Sequence, residues 1–485
     1  MASIKKNFIY NIVINVSAVI FPLITAPYIA RVLEPNGIGL MNFANTYAGY
    51  YSMFAVLGAA TYGIREIAKR RDSHEAKQQF FSEILTVLFI NTIVVSSIFI
   101  ATLLIFPKFN ANFLIFFIAG FTIYFVPFGC NWYLSGLEKF GFIAGRNLLI
   151  RALAIICMFL FVKKKSDLYI YMILGVISQL GGILWNFSII KKDNIKIRLC
   201  FKSIGKHYKP MLILFSSSVA ISVYTMLDTI MLGFMKNYDE VGFYNSSINI
   251  AKTALSIVTS LSAVAIPRVS YYMGQKNQKA ISDLLSKSFF VVSILAFPMA
   301  VGLACIAPNF VPLFLGKAFY PSILPLIIVS GIIIAIGFNN ITGMQTLLGM
   351  GYDKPYLYCL LIGTFLNFAM NLLLIPQYGA VGAAFSSVVA EFAILAAMIY
   401  AIRKYTQIRF KGVLGDIWKS LLASIFFIPI TILLSKTLEG WTLVIADVIT
   451  CIIIYCFLQW ILASHGFTMI TANIRILQQK ICNKK

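Results

Sequence analysis

The sequence predicts an all-α polytopic membrane protein of about fourteen transmembrane helices, and three observations predict it. Of 485 residues, 60% are hydrophobic and 12% charged, with a mean hydropathy of +0.86. Apolar runs of about 20 residues recur along the chain, each long enough to cross a hydrocarbon core of roughly 30 Å. Basic residues collect in alternate connecting segments, the pattern expected when loops of one sort stay on the cytoplasmic side. A soluble globular fold does not carry that balance.

The first span, 8–33, follows Lys5 and Lys6. No small-residue cleavage pattern follows it, so it reads as an uncleaved helix and not a signal peptide. LEPNG (33–37) turns into the second span, 38–66, which ends at the polar loop AKRRDSHEAKQQ (68–79). Spans three to six are 80–106, 112–135, 142–162 and 166–190. The connector 191–209 carries seven Lys/Arg. Spans seven to twelve are 210–235, 241–267, 284–306, 321–349, 355–375 and 379–402; 415–435 and 441–463 close the series. Pro22, Pro27, Pro127, Pro298 and Pro429 fall inside spans, where each removes a backbone donor and permits a bend.

An even number of spans places both termini on one face. With the N-terminus inside, cytoplasmic segments hold 28 of the 40 Lys/Arg and outer loops 7. Lys163, Lys164 and Lys165 are the exception, falling outside. The remaining five, Arg31, Arg65, Arg146, Arg151 and Lys252, lie within helices or at their ends. The net charge of +23 is therefore mainly topology and contact with anionic lipid headgroups. No soluble domain exists to bind nucleic acid. Eight scattered cysteines read as small core hydrophobes, and three histidines at helix ends or in loops spell out no metal site.

The chain also repeats. A shift of 203 residues lays Gly39-Leu40-Met41-Asn42 on Gly242-Phe243-Tyr244-Asn245 and Arg65 on Arg268. LSGLEKFGF (134–142) and LLGMGYDKP (347–355) form a weaker pair. The organisation expected is an N-terminal lobe of helices 1–6 (1–190), a basic cytoplasmic connector (191–209), and a C-terminal lobe of helices 7–12 (210–402). Residues 403–485 hold helices 13 and 14 and a tail. Six spans per half give a parallel repeat with its axis along the membrane normal, which suits alternating access around a central cavity.

Charge at membrane depth is the functional signal. An ammonium at the bilayer centre costs roughly 2.5–3.5 kcal/mol on insertion scales, so it faces water or a partner. Lys252 lies about twelve residues, near 18 Å, from the outer end of its span. Arg151 lies similarly deep in the fifth span, with Arg146 five residues before it. Arg31 closes the first span; Arg65 and Arg268 close the second and eighth at the inner face. Inner-face anchoring also suits Arg65 and Arg268, and interfacial snorkelling suits Arg31 and Arg146.

The embedded acids are Asp228, Glu391 and Asp447. Five embedded cations against three acids leave a net positive interior, which suits an anion and argues against a cationic drug. Asn15, Asn45, Gln179, Asn245, Asn249, Asn339, Asn340, Gln345, Asn367 and Asn371 add hydrogen-bonding capacity, in a cavity or between helices. A ligand that is anionic, hydroxyl-rich and membrane-borne fits these features together. A polyprenyl-pyrophosphate-linked oligosaccharide is one: diphosphate for Arg and Lys, sugars for amides, lipid tail for the bilayer. Other anionic lipids satisfy the same chemistry. Short outer loops leave no domain for a glycan-assembly enzyme.

The motifs RVLEPNGIG (31–39), YGIREIAKRR (62–71), VGFYNSSINIAK (241–252), AIPRVSYY (265–272) and LFLGKAFYPSILPL (313–326) carry a family resemblance. The chain resembles the Wzx-type polysaccharide flippases of the multidrug/oligosaccharidyl-lipid/polysaccharide transporter superfamily. The resemblance implies a MATE-like, two-lobed fold with a cationic lumen. It implies that undecaprenyl-pyrophosphate-linked glycan units are flipped from inner to outer leaflet of a bacterial cytoplasmic membrane. It also implies coupling to a proton or sodium gradient, with no other cofactor. Arg31, Arg65, Lys252 and Arg268 fall in the matching motifs; Arg146 and Arg151 rest on depth. Asp228 and Glu391 are the candidates for ion coupling, each equally suited to partner a buried cation. The expected partners are the lipid-linked glycan, anionic lipids and other glycan-assembly membrane proteins. Alternatives on the same fold are a flippase for a teichoic acid or peptidoglycan precursor, and a multidrug exporter.

Overall fold

The computed structural model describes residues 4–202, 204–260, 262–410, 412–469 and 471, with side chains except at 4–9, 11–16, 18–19, 217–224 and 262–264. Asn15 lies outside the described side chains. Packing divides the chain into two units, Met1–Gly233 and Phe234–Lys485.

The first unit opens with α1 (Ile4–Val56), α2 (Ala59–Lys69), α3 (His74–Ile105) and the one-turn α4 (Pro107–Asn110). α1 runs through two expected spans, but its axis breaks at Glu34, where φ is 57° and ψ 177°. Pro35 explains the break, because its ring excludes the helical region for the residue before it. The fourth expected span is the most divided. α5 (Phe113–Ala119) and α6 (Phe121–Tyr124) lead into a 3₁₀ turn at Val126–Phe128, then α7 (Asn131–Gly136). Pro127 and Cys130, at φ 47°, end one helical segment and start the next. α8 (Phe140–Phe161), α9 (Leu168–Lys192) and α10 (Gly205–Met235) follow.

Aromatic rings fill this unit. Phe43, Tyr47, Phe109 and Phe116 interlock with centroid spacings of 4.7–6.5 Å. Gly233 of α10 lies so close to the Phe43 ring that a Cβ there would come within 2.1 Å of it. A second cluster joins Tyr62, Phe80, Phe81, Trp132 and Tyr133.

That second cluster encloses a polar knot. Glu83 and His207, 3% and 2% exposed, meet at 2.7 Å between Oε2 and Nε2. Tyr62 Oη lies 3.0 Å from His207 Nδ1, and Lys206 and Gln79 donate to Glu83 Oε1 at 2.8 and 3.0 Å. The knot ties the start of α10 to α2 and α3. Removing one member of a buried charged network leaves the others unsatisfied. Glu83→Ala is therefore expected to lower unfolding free energy by about 2–4 kcal/mol, read as earlier thermal unfolding in detergent, with Glu83→Gln losing less. Unchanged melting would show that the network does not hold α10.

The second unit begins with α11 (Tyr238–Thr259) and α12 (Ser262–Gly274), then the 37-residue α13 (Gln278–Phe314). A 3₁₀ segment, Lys317–Ser322, leads to α14 (Ile323–Val329) and α15 (Ile332–Asn339), which runs into a π-helix at Asn340–Leu348. These pieces form the tenth expected span, bent by 41°. α16 (Asp353–Tyr405) joins the eleventh and twelfth spans through Gly379, at φ 53° and ψ −127°. Only glycine adopts that geometry readily. Glu240 Oε2 accepts from Ala380 N there at 2.6 Å, capping the helix that restarts. α17 (Val413–Ile425), α18 (Phe427–Leu434) and α19 (Gly440–Ile461) pack on α13, where Tyr455 donates to Ile294 O at 3.1 Å.

Among the described residues, seven helices are by themselves long and apolar enough to cross a membrane, or eight with the bent pair. Helix breaks account for part of the difference from fourteen: spans expected as single helices are built from pieces, and the 53-residue α16 covers two. Large apolar side chains remain exposed, among them Ile105, Phe365 and Leu373 at 70–74%. That is the surface hydrocarbon would cover.

Candidate functional site

In the first unit, Arg146 and Arg151 line one cleft of about 310 Å³ together with Asn131, Asn147, Ser178, Gln179 and Asn186. Three pieces of local structure build it. α8 carries both arginines. α9 supplies Ser178, Gln179 and Asn186. The break at Gly129–Cys130 leaves Asn131 at the head of α7 and frees the Gly129 carbonyl, to which Asn186 Nδ2 donates.

Arg146 is 6% exposed, yet every acceptor around it is neutral. It donates to Asn147 Oδ1 at 2.8 and 3.2 Å, to Asn131 Oδ1 at 3.2 Å, to Gly182 O at 3.4 Å, and to Asn186 Oδ1. Arg151 donates to Ser17 Oγ at 2.9 Å and stands 6.0 Å from the Phe21 ring centroid. Among the described residues no carboxylate pairs with either guanidinium. Hydrogen-bonding demand is met while the charge is not, which is the electrostatic condition for receiving an anion. Ser178 and Gln179 also line a second cavity of about 440 Å³, walled by Thr25, Asn45, Thr122, Met158 and Tyr171. The arginine cleft thus adjoins a larger space of mixed polarity.

The other expected cations sit differently. Arg31 is exposed. Arg65 is exposed as well, and its Nε lies 3.3 Å from Glu66 Oε1. Lys69 and Arg70 converge on the same carboxylate, so one acid meets three cations at the end of α2. Arg268 is exposed on α12.

Lys252 is exposed on α11, in a polar stripe formed by Asn245, Asn249, Lys252 and Ser256. Their spacing of four, three and four residues keeps them on one helix face. Val241, Tyr244, Ile248, Ala251, Leu255 and Val258 form the packed face, which adjoins the stripe about a quarter turn away.

Asp228 and Glu391 are both 7% exposed. Glu391 Oε2 accepts from Asn339 Nδ2 at 2.7 Å. Asp447, 1% exposed, accepts from Thr431 at 2.8 Å. Asn367 accepts from Asn371 at 3.1 Å, a contact within α16.

Sequence reasoning missed Asn131, Asn147, Ser178 and Asn186. Each is an ordinary polar residue in its own segment, and only the tertiary meeting of α7, α8 and α9 makes a cleft of them. The one available signal was Arg146 itself, whose buried guanidinium demands several acceptors.

The fold is similar to that of "Lipid II flippase MurJ, inward closed conformation", at TM-score 0.75 and 17% identity, covering 94% of this chain and 98% of that one. A multidrug resistance MATE family transporter of the MOP superfamily, inward-facing, follows at TM-score 0.57 and 12% identity, covering 80% and 98%. The family model "Polysaccharide biosynthesis protein" matches residues 4–273, and the MatE model residues 213–373. The first match spans more than half of the chain, which belongs to the polysaccharide biosynthesis protein family. A relative from Escherichia coli K12, named "Putative O-antigen transporter", is 25% identical over 409 residues, 83% of this chain and 97% of the relative. A Shigella dysenteriae protein of the same name is 21% identical, covering 82% and 100%.

Proposed function

We propose that this protein flips a polyprenyl-pyrophosphate-linked oligosaccharide from the inner to the outer leaflet of a bacterial cytoplasmic membrane, for surface polysaccharide assembly. The observation that carries the reading is the Arg146–Arg151 cleft. Two guanidinium groups without carboxylate partners among the described residues suit a diphosphate, which takes forked N–H donors. The ring of asparagine and glutamine amides suits sugar hydroxyls. The names of the full-length relatives, which concern O-antigen transport, agree with it.

Arg31, Arg65, Lys252 and Arg268 are assigned to the substrate path on the sequence argument. Transport runs by alternating access, with helices 1–6 (1–190) and 7–12 (210–402) as the repeated lobes. A proton or sodium gradient drives it, through Asp228 or Glu391. Both termini are cytoplasmic, and anionic lipids and other glycan-assembly membrane proteins are its neighbours.

The test is depletion of the protein followed by mass spectrometry of extracted polyprenyl-linked intermediates, with their leaflet assigned. An oligosaccharide-diphosphate lipid should accumulate on the cytoplasmic leaflet. Accumulation of a wall precursor would reassign the substrate. No accumulation, with altered drug sensitivity, would replace the reading with drug export.

A further inference from the structure

A third cavity, of about 810 Å³, opens in the second unit where α16 ends and α17 begins. Its lining combines two kinds of chemistry. Arg403, from the last turn of α16, and Arg409, from the extended segment after it, supply positive charge; Ile402, Leu414 and Ile417 supply apolar wall. Both arginines are exposed, and among the described residues neither has an ion-pair partner. The single carboxylate of α17, Asp416, is committed elsewhere. It is 2% exposed and accepts from His465 N at 3.1 Å and Gly466 N at 2.8 Å.

Next to the cavity, α17 presents Leu414, Trp418 and Leu422, exposed by 73%, 60% and 51%, at four-residue spacing. That is an apolar stripe on one helix face, carrying an aromatic of the kind enriched where headgroups meet hydrocarbon. The alternation of charge along the sequence puts this segment on the inner face, the side rich in anionic lipid.

We infer that this cavity is a binding site for an anionic phospholipid, its phosphate on Arg403 and Arg409 and its acyl chains along the Leu414–Trp418–Leu422 stripe. Forked guanidinium donors match a phosphodiester, and the apolar wall continuing from them matches a lipid better than a free ion. The site lies on the segment that joins the repeated helices to the C-terminal pair. A lipid seated there fastens α17 to α16. The inference stands whichever substrate is transported.

The test uses the full chain purified in detergent, titrated with phosphatidylglycerol or phosphatidylcholine of identical acyl chains and read by native mass spectrometry. Phosphatidylglycerol adducts should be favoured, and Arg403→Gln and Arg409→Gln should each weaken that preference by roughly fivefold. Glycerol 3-phosphate at equal concentration should not compete; if it displaces the lipid, the site takes a soluble phosphate and the lipid assignment falls. No headgroup preference, or a preference untouched by both substitutions, overturns the proposal. A second measurement covers variants that fail to fold. The fluorescence difference between the native chain and Trp418→Phe should be quenched more by chain-brominated phosphatidylglycerol than by the phosphatidylcholine equivalent. Equal quenching contradicts the site.

Discussion

Arg146→Lys is expected to reduce glycan export by about tenfold or more while the protein accumulates in the membrane at its normal level. The substitution keeps the charge and removes the fork. Arg146 distributes its donors over Asn131, Asn147, Asn186 and the Gly182 carbonyl. An ammonium offers three donors from one point and cannot reach that set while presenting a flat face to a diphosphate. Losing one charge-assisted hydrogen bond, worth about 1.5–3 kcal/mol, corresponds to roughly tenfold or more. Arg146→Ala is expected to do more damage, because Asn186, 1% exposed, then loses a donor in a buried position. Surface glycan should be measured against immunoblotted membrane protein. Normal export by the lysine variant at matched protein would show that the fork serves packing alone. Arg151→Lys provides the contrast: Arg151 donates to Ser17 Oγ at 2.9 Å, and its replacement should be milder.

The two arginines also show where a linear reading of the chain succeeds and where it stops. Depth alone pointed to Arg146 and Arg151, because a charge inside a hydrophobic run is costly wherever the fold puts it. The helix breaks were partly legible for a similar reason. Pro35 dictates the turn at Glu34, and Pro127 the interruption of the fourth span. Pairings at long range were not. Glu83 and His207 are 124 residues apart, and nothing local distinguishes Glu83 from a residue of an exposed first turn. The knot of Arg65, Lys69 and Arg70 on Glu66 lies between these cases. Spacings of three and four place Lys69 and Arg70 beside Glu66 on any helix. The cleft amides were invisible because asparagine in a membrane helix serves helix contacts and cavities alike, and only the meeting of three elements separates the two.

Lys252→Ala is expected to lower export by about tenfold, with Lys252→Arg retaining most of it and both variants reaching normal membrane levels. The argument is the face on which the residue stands. The packed face of α11 runs through Val241, Tyr244, Ile248, Ala251, Leu255 and Val258. The adjoining stripe of Asn245, Asn249, Lys252 and Ser256 is polar over three turns. Hydrocarbon against that stripe would be costly, and a mid-span ammonium adds roughly 2.5–3.5 kcal/mol to the cost. A water-filled path along the stripe would remove the penalty and give an anionic headgroup a cation at mid-crossing. Two measurements separate this from anchoring. Lys252→Ala and Asn249→Ala should both reduce export, the second by less, since a neutral hydrogen bond contributes about 0.5–1.5 kcal/mol. Thermal stability in detergent should stay close to that of the native chain, because the packed face is untouched. If Lys252→Ala exports normally at normal protein level, the stripe is not part of the substrate path. If instead it melts many degrees earlier, Lys252 holds the helix in place and the charge has a structural use.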